Sequence, residues 1–307
     1  MLEIRNLSVS FSSYSKGLKR SMVCAIRSLD LSAETGQVVA VVGQSGAGKS
    51  LLAHAVLGIL PGNSSVSGDI VFKNNKLTPQ TAKQLRGREI ALIPQSIAFL
   101  NPLLHVGTQI ARAGFLSGLS PKKSRKASLQ ALERYGLSKQ VFKWFPFQLS
   151  GGMARRVLTA TATIGAANLL LADEPTNGLD KEPARGTLKH LRQLADTGKA
   201  VVLITHDIDL ALQVADKVSV LCGGVTIEEA DAKDFNESGK LRHPYSRVLW
   251  SSLPRNQFTE AITLPGKGTS NTGCPFNPHC EQCTDDCSRD LPALIPFKEG
   301  KVRCWHA

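Results

Sequence analysis

Eight consecutive residues, Gly43, Gln44, Ser45, Gly46, Ala47, Gly48, Lys49 and Ser50, restrict what this chain can fold into more than any other feature. They fit G-x-x-x-x-G-K-[ST], a glycine-rich turn whose backbone N–H groups wrap a phosphate. The pattern needs a strand to deliver the loop and a helix to leave it, because the helix N-terminus adds positive potential. Both are legible. QVVAVVG (37–43) is continuously apolar, as in a strand buried on both faces, and a helix is predicted from Lys49 to Leu60, stopped by Pro61 and Gly62. Lys49 is expected to reach β- and γ-phosphate oxygens and Ser50 to ligate Mg²⁺, with Leu51 following at the helix start.

The rest of the chain supports an α/β core. Residues 2–11 alternate apolar and polar, and Ile26, Leu29 and Leu31 partly repeat the pattern, predicting antiparallel strands with one wet face. Ile90–Ile93, Leu169–Ala172 and Val201–Thr205 are further buried-strand candidates between helical stretches. From about 100 to 165 helix signals take over: Ser120 and Pro121 open a helix and Gly136 closes it. After about residue 236 the texture turns polar, and PGKGTSNTG (265–273) reads as a linker. No apolar run reaches the roughly 18 residues of a membrane helix, and no secretory signal is visible at the start, so a cytosolic place is expected. The net charge of +12 is spread without interleaved aromatics, which argues against a nucleic-acid partner.

NLLLADEP (168–175) delivers Asp173 and Glu174 at a strand's C-terminal end, where α/β folds place ligands. Asp173 is expected to hold Mg²⁺ through water and Glu174 to polarise the attacking water.

Leu149-Ser-Gly-Gly-Met153 then precedes a helical stretch, ARRVLTATATI, just ahead of the Asp-Glu strand. This resembles the signature of ABC ATPases, with Met153 where that family has Gln. Its physics is a second phosphate cradle: Ser150, Gly151 and Gly152 at a helix N-terminus. The first cradle holds its own nucleotide, so the second is expected to serve ATP bound by another subunit. The resemblance, over residues 1–235, implies ATP and Mg²⁺ as ligands. It implies a P-loop NTPase cassette with an N-terminal antiparallel β part and a helical subdomain at about 98–165. It also assigns Gln95 to the Q-loop touching Mg²⁺, Gly178-Leu-Asp180 to the D-loop and His206 to the switch that senses the γ-phosphate. Phe11 falls where the family stacks adenine, with Tyr14 the rival. Lacking tandem cassettes or a coiled-coil insertion, the chain resembles a transporter ATPase more than its alternative, a soluble ABC ATPase acting on nucleic acid.

Leu100-Asn-Pro102, FPFQLSGGM, His243-Pro-Tyr245 followed by SRVLWSSLP, and a cysteine-rich tail together resemble the oligopeptide/dipeptide/nickel importer ATPases. That resemblance implies a C-terminal extension over 236–307 and cargo of peptides or nickel and metal chelates. Its implied partners are two transmembrane permease subunits, a second ABC ATPase (like or unlike) and an extracytoplasmic substrate-binding protein. Its implied place is peripheral, on the cytoplasmic face of the membrane. In that family Cys274, Cys280, Cys287 and Cys304 match cysteines holding a [4Fe–4S] cluster; zinc or unligated thiols are the alternatives, and Cys283 is extra. Cys24 and Cys222 read as core residues, and His279 and His306 as bystanders. ATP binding at Lys49 is expected to be independent of this tail.

Overall fold

The computed structural model describes residues 1–14, 20–253, 255–256 and 272–307. Most of the linker read at 265–273 and the side chain of Tyr14 lie outside the described residues. Two compact units are present: residues 1–33, 39–77 and 205–307 form the first, and residues 34–38 and 78–204 the second. Among the described residues no helix is long and apolar enough to cross a membrane.

In the first unit, strand β1 (Leu2–Tyr14) pairs antiparallel with β2 (Arg20–Ala33) and β4 (Ser64–Phe72), and β4 with β5 (Asn75–Lys76). Leu2, Ile4, Leu7 and Val9 are buried; the alternation slips between Ile4 and Leu7 because a register shift there puts Asn6 at φ 48°. β3 (Val38–Val42), buried throughout, runs parallel to β9 (Lys217–Cys222), which turns back into β10 (Val225–Asp231). β10 pairs with the late strand β12 (Gly300–Val302), and β12 with β11 (Ile295–Phe297). α1 (Lys49–Leu57) ends three residues before the predicted Leu60. Gly58 takes a left-handed C-cap at φ 61°, and the N–H groups of Gly58 and Ile59 close the last turn on the Ala55 and His54 carbonyls. Cys24 is not a core residue: β2 runs past the edge of the core, and residues 21–24 are all exposed, whereas Cys222 is buried.

In the second unit, β6 (Ile90–Ile93), β7 (Leu169–Asp173) and β8 (Ala200–Ile204) form a parallel set. β7 and β8 are buried at every position, as their unbroken apolar runs require. α2 (Pro79–Leu85) and α6 (Lys181–Asp196) flank the strands in sequence. α3 (Val106–Leu116), α4 (Pro121–Arg134) and α5 (Gly151–Thr163) bury Val106, Ile110, Leu132 and Val157 in one cluster, which Leu137 joins from beyond the end of α4. Ser120 caps α4 by accepting from Lys123 N–H, and Gly136 at φ 66° follows its end, as the sequence predicts.

The segment after residue 236 is knitted into the first unit by charge. α7 (Ile208–Leu212), α8 (Pro244–Ser251) and α9 (Asp285–Arg289) complete the helices of this unit. Arg303 donates to Asp30 Oδ2 at 2.7 Å and to the Thr226 and Pro292 carbonyls at 2.9 Å. Arg242, fully enclosed, bonds Asp234 Oδ2 at 3.2 Å, Glu228 Oε1 at 3.4 Å and the Phe297 carbonyl at 3.1 Å. Glu228 also accepts the backbone N–H groups of Arg242 and His243, both at 2.9 Å. Truncating one partner strands buried charge, so Arg242→Met is expected to lower the stability of this unit by about 3–5 kcal/mol. Chemical denaturation followed by a probe on the C-terminal segment measures it; an unchanged midpoint would show the network to be energetically idle.

Candidate nucleotide-binding and cysteine sites

The phosphate-binding loop belongs to the first unit, between β3 and α1. Gly43 has no alternative: a β-carbon there would lie 2.1 Å from the Leu221 carbonyl oxygen. Gly48, at φ 90°, would place one 2.8 Å from Ile26 and 3.0 Å from the Ala25 carbonyl. Lys49 is buried, its Nζ donating to the Gly43 carbonyl at 2.7 Å and the Gln44 carbonyl at 2.9 Å. The ammonium is thus folded back on its own loop. Ser45 and Gly46 are exposed, Gln44 and Ser50 half-buried, and Ala47 buried. Phe11 is half-buried, paired with Val23 and Ser64. His206 is exposed in a turn fixed on both sides: Thr205 N–H bonds the Val41 carbonyl, and Asp207 bonds Thr205 Oγ1 and caps Leu210 N–H.

The second unit carries the remaining sequence-predicted residues. Asp173 ends β7, 3% exposed. Glu174 follows, buried, with φ 49°, a conformation L residues rarely adopt, and its N–H bonds the Ile204 carbonyl at 2.9 Å. Ser150 caps α5, its Oγ accepting from Met153 N–H at 3.3 Å, and Gly151 and Gly152 form the first turn. Arg155 ties three of the segments together: Nη1 donates to the Gln95 carbonyl at 3.1 Å, and Nε lies beside Gly178. Gly152 in turn faces Gly178 and Leu179, just ahead of Asp180, which stands at the N-cap of α6. Sequence reasoning missed Arg155, because nothing in its own neighbourhood marks a partner 60 residues away.

In the first unit, Cys274, Cys280, Cys287 and Cys304 line one small pocket together with His243 and His306; the exposed Cys283 does not. His306, read from the sequence as a bystander, also reaches this pocket, its Nε2 3.5 Å from Cys287 Sγ. His243 Nδ1 accepts from Tyr245 N–H at 3.0 Å, so its proton sits on Nε2, which lies 3.8 Å from Cys274 Sγ. Burial lowers the His243 pKa to about 3, leaving it neutral. Burial raises the Cys274 thiol to about 11, with the other three thiolates adding to the shift, and raises Cys280 and Cys304 likewise. Among the described residues no three His, Cys, Asp or Glu side chains are drawn together tightly enough to hold an ion. Gathering four thiolates around one point costs mutual repulsion that only a bound cation offsets. The donor chemistry, four cysteines on one pocket, still fits a thiolate-bound group.

A glycine loop between a buried strand and a helix, an antiparallel β part and a helical bundle define an ABC-type ATPase cassette. A family model for the ABC transporter matches residues 26–177, and one for the oligopeptide/dipeptide transporter C-terminal region matches residues 227–287. The dimeric cassette MJ0796, solved in a post-hydrolysis state with ADP and Pi, superposes with a TM-score of 0.67 at 26% identity, covering 76% of this chain and 99% of that one. The dipeptide transport ATP-binding protein DppD of Bacillus subtilis is 34% identical, spanning 99% of this chain and 94% of its own length. The oligopeptide transport ATP-binding protein OppD of Salmonella typhimurium is 31% identical over 99% and 92%. The chain belongs to the family of ATP-binding proteins of oligopeptide/dipeptide ABC transporters. It is an ATP-hydrolysing ABC importer subunit, and the nucleic-acid alternative finds no support among its relatives.

Proposed function

We propose that this subunit powers uptake of dipeptides or oligopeptides through two separate transmembrane permease subunits. It would work peripherally at the cytoplasmic face, beside a second ABC ATPase, with an extracytoplasmic binding protein delivering the cargo. The observation that carries this is coverage: peptide-transport relatives align over 99% of the chain, tail included. Nickel and metal chelates, open from the sequence, gain no comparable support. Reconstituted with its permeases, the ATPase is expected to be stimulated by binding protein loaded with peptide; stimulation by a nickel chelate and not by peptide would overturn the cargo.

In this reading residues 1–235 bind nucleotide and residues 236–307 form the extension. Lys49 leaves the Gly43 and Gln44 carbonyls for the β- and γ-phosphates, while the backbone of Gln44, Ser45, Gly46, Ala47, Gly48 and Ser50 wraps them and Leu51 follows in α1. Phe11 stacks on adenine. Ser50, Gln95 and Asp173 would hold Mg²⁺, which when bound neutralises phosphate charge. Glu174 takes the proton of the attacking water, His206 senses the γ-phosphate, and Asp180 belongs to the contact with the partner ATPase. Ser150, Gly151 and Gly152 receive the partner's ATP.

Cys274, Cys280, Cys287 and Cys304 are assigned to a [4Fe–4S] cluster, with Zn²⁺ the alternative. Their shared pocket and the exclusion of Cys283 support this alongside the family likeness. Purified without oxygen, the protein is expected to be brown, with about four iron and four sulfide per chain. Serine at any of the four should bleach it; Cys283→Ser should not. Stoichiometric zinc without iron would replace the cluster by zinc, and absence of both metals would remove the assignment.

A further inference from the structure

Tyr245, in the first turn of α8, is 2% exposed, and its hydroxyl makes no hydrogen bond of normal geometry with any described residue. A buried hydroxyl in that state is destabilising and needs a physical reason. Its surroundings lead to the phosphate-binding loop. The Tyr245 ring packs 5.4 Å from that of Phe276. The preceding residue, Pro275, presses on Gly223, where a β-carbon would lie 2.7 Å from the proline ring. Two residues before Gly223, the Leu221 carbonyl fills the space beside Gly43. The hydroxyl itself faces the backbone of Gln44, close enough for that backbone to favour the phenolate, although burial outweighs it and raises the phenol. The carbonyls of Gly43 and Gln44 meanwhile hold the Lys49 ammonium, which must leave them to reach a nucleotide.

We propose that Tyr245 is a positioning residue for nucleotide binding: when Lys49 moves to the phosphates, the released Gly43–Gln44 segment closes onto the Tyr245 hydroxyl and supplies its missing hydrogen bond. The inference rests on the phosphate role given above to Lys49. It gives the hydroxyl a full hydrogen bond in the loaded state, where in the empty state it has only the weak approach of the Gln44 backbone. It also makes the C-terminal segment the back wall of the loop. The same wall carries His243 and Phe276, ring centroids 6.2 Å apart, and through His243 reaches Cys274. The expectation that ATP binding is independent of the tail is the opposing reading, and the ATP affinity of Tyr245→Phe decides between them.

Tyr245→Phe in the full chain tests it, because the ring packing stays and only the hydroxyl goes. The dissociation constant for ATP-Mg is expected to rise about three- to tenfold, the range of one net hydrogen bond. The nucleotide-free thermal midpoint should stay level or rise, since the lost group had no partner there. Hydrogen exchange should show weaker ATP-induced protection over residues 43–48. Wild-type affinity in Tyr245→Phe overturns the proposal, as does weaker binding accompanied by a lower thermal midpoint, which would mark general loosening. Lys49→Ala separates the two readings. Lost affinity there with wild-type affinity in Tyr245→Phe rejects Tyr245 alone; wild-type affinity in Lys49→Ala rejects both.

Discussion

ATP turnover by the assembled transporter is expected to fall about 10²- to 10⁴-fold in Glu174→Gln, the range of a lost general base, while ATP affinity is kept. The change exchanges one carboxylate oxygen for an amide and removes only the ability to accept a proton from water. Glu174 is buried directly after β7 at φ 49°, anchored through its N–H to the Ile204 carbonyl. That anchor is a main-chain bond, so the glutamine inherits the same position. Lys49 and Ser50 lie on α1, a different element, and their contribution to binding is untouched. The mutant should therefore trap ATP: equilibrium binding near wild type, with phosphate release in a single turnover almost absent. Near wild-type hydrolysis would sink the assignment. Loss of binding instead would mean that the strained backbone at Glu174 depends on the carboxylate, and that the residue shapes the strand end rather than handling the water.

Much of this was legible because it is local. β3, β7 and β8 announce themselves as unbroken apolar runs, and the loop at 43–50 by spacing that only a phosphate cradle requires. Local signals also compete, and the nearer wins: Gly58 ends α1 before Pro61 can. Cys24 looked like core because strand periodicity says which face a residue takes, not how far the core extends beneath it. What stayed hidden depends on contacts distant in sequence. Arg155 finds Gln95 across 60 residues, Arg303 finds Asp30 across 273, and Arg27 reaches the Gly273 carbonyl across 246. No period or spacing encodes such pairs. The tail therefore reads from sequence as an extension behind a linker, whereas its strand β12 pairs with β10 and its Arg303 bonds Asp30. The buried Arg242–Glu228–Asp234 cluster had no sequence signal at all, since charged residues are by default expected outside.

The signature serine is expected to act on the partner's nucleotide, and paired mutations can make that an all-or-none result. In the proposed reading the loop at 43–50 wraps one set of phosphates; its Lys49 donates to the Gly43 and Gln44 carbonyls of that loop. The second cradle proposed at the N-terminus of α5, where Ser150 and Gly151 are exposed, is assigned to a second nucleotide. Ser150→Arg removes the Oγ that accepts Met153 N–H and fills the cradle with a long side chain. Losing the cap itself costs only about 1 kcal/mol, so the fold should survive while the cradle is lost. Consider dimers carrying Ser150→Arg and Lys49→Ala. With both changes in one subunit, a shared-site arrangement loses both active sites: the mutant's own loop is dead, and its signature can no longer serve the other. With the changes divided between subunits, one loop and the opposite signature stay intact, and one site should still hydrolyse ATP in a single turnover. If each subunit instead completed its own site, the two outcomes would be exchanged: the doubly mutated subunit would leave its partner active, and the divided pair would be dead.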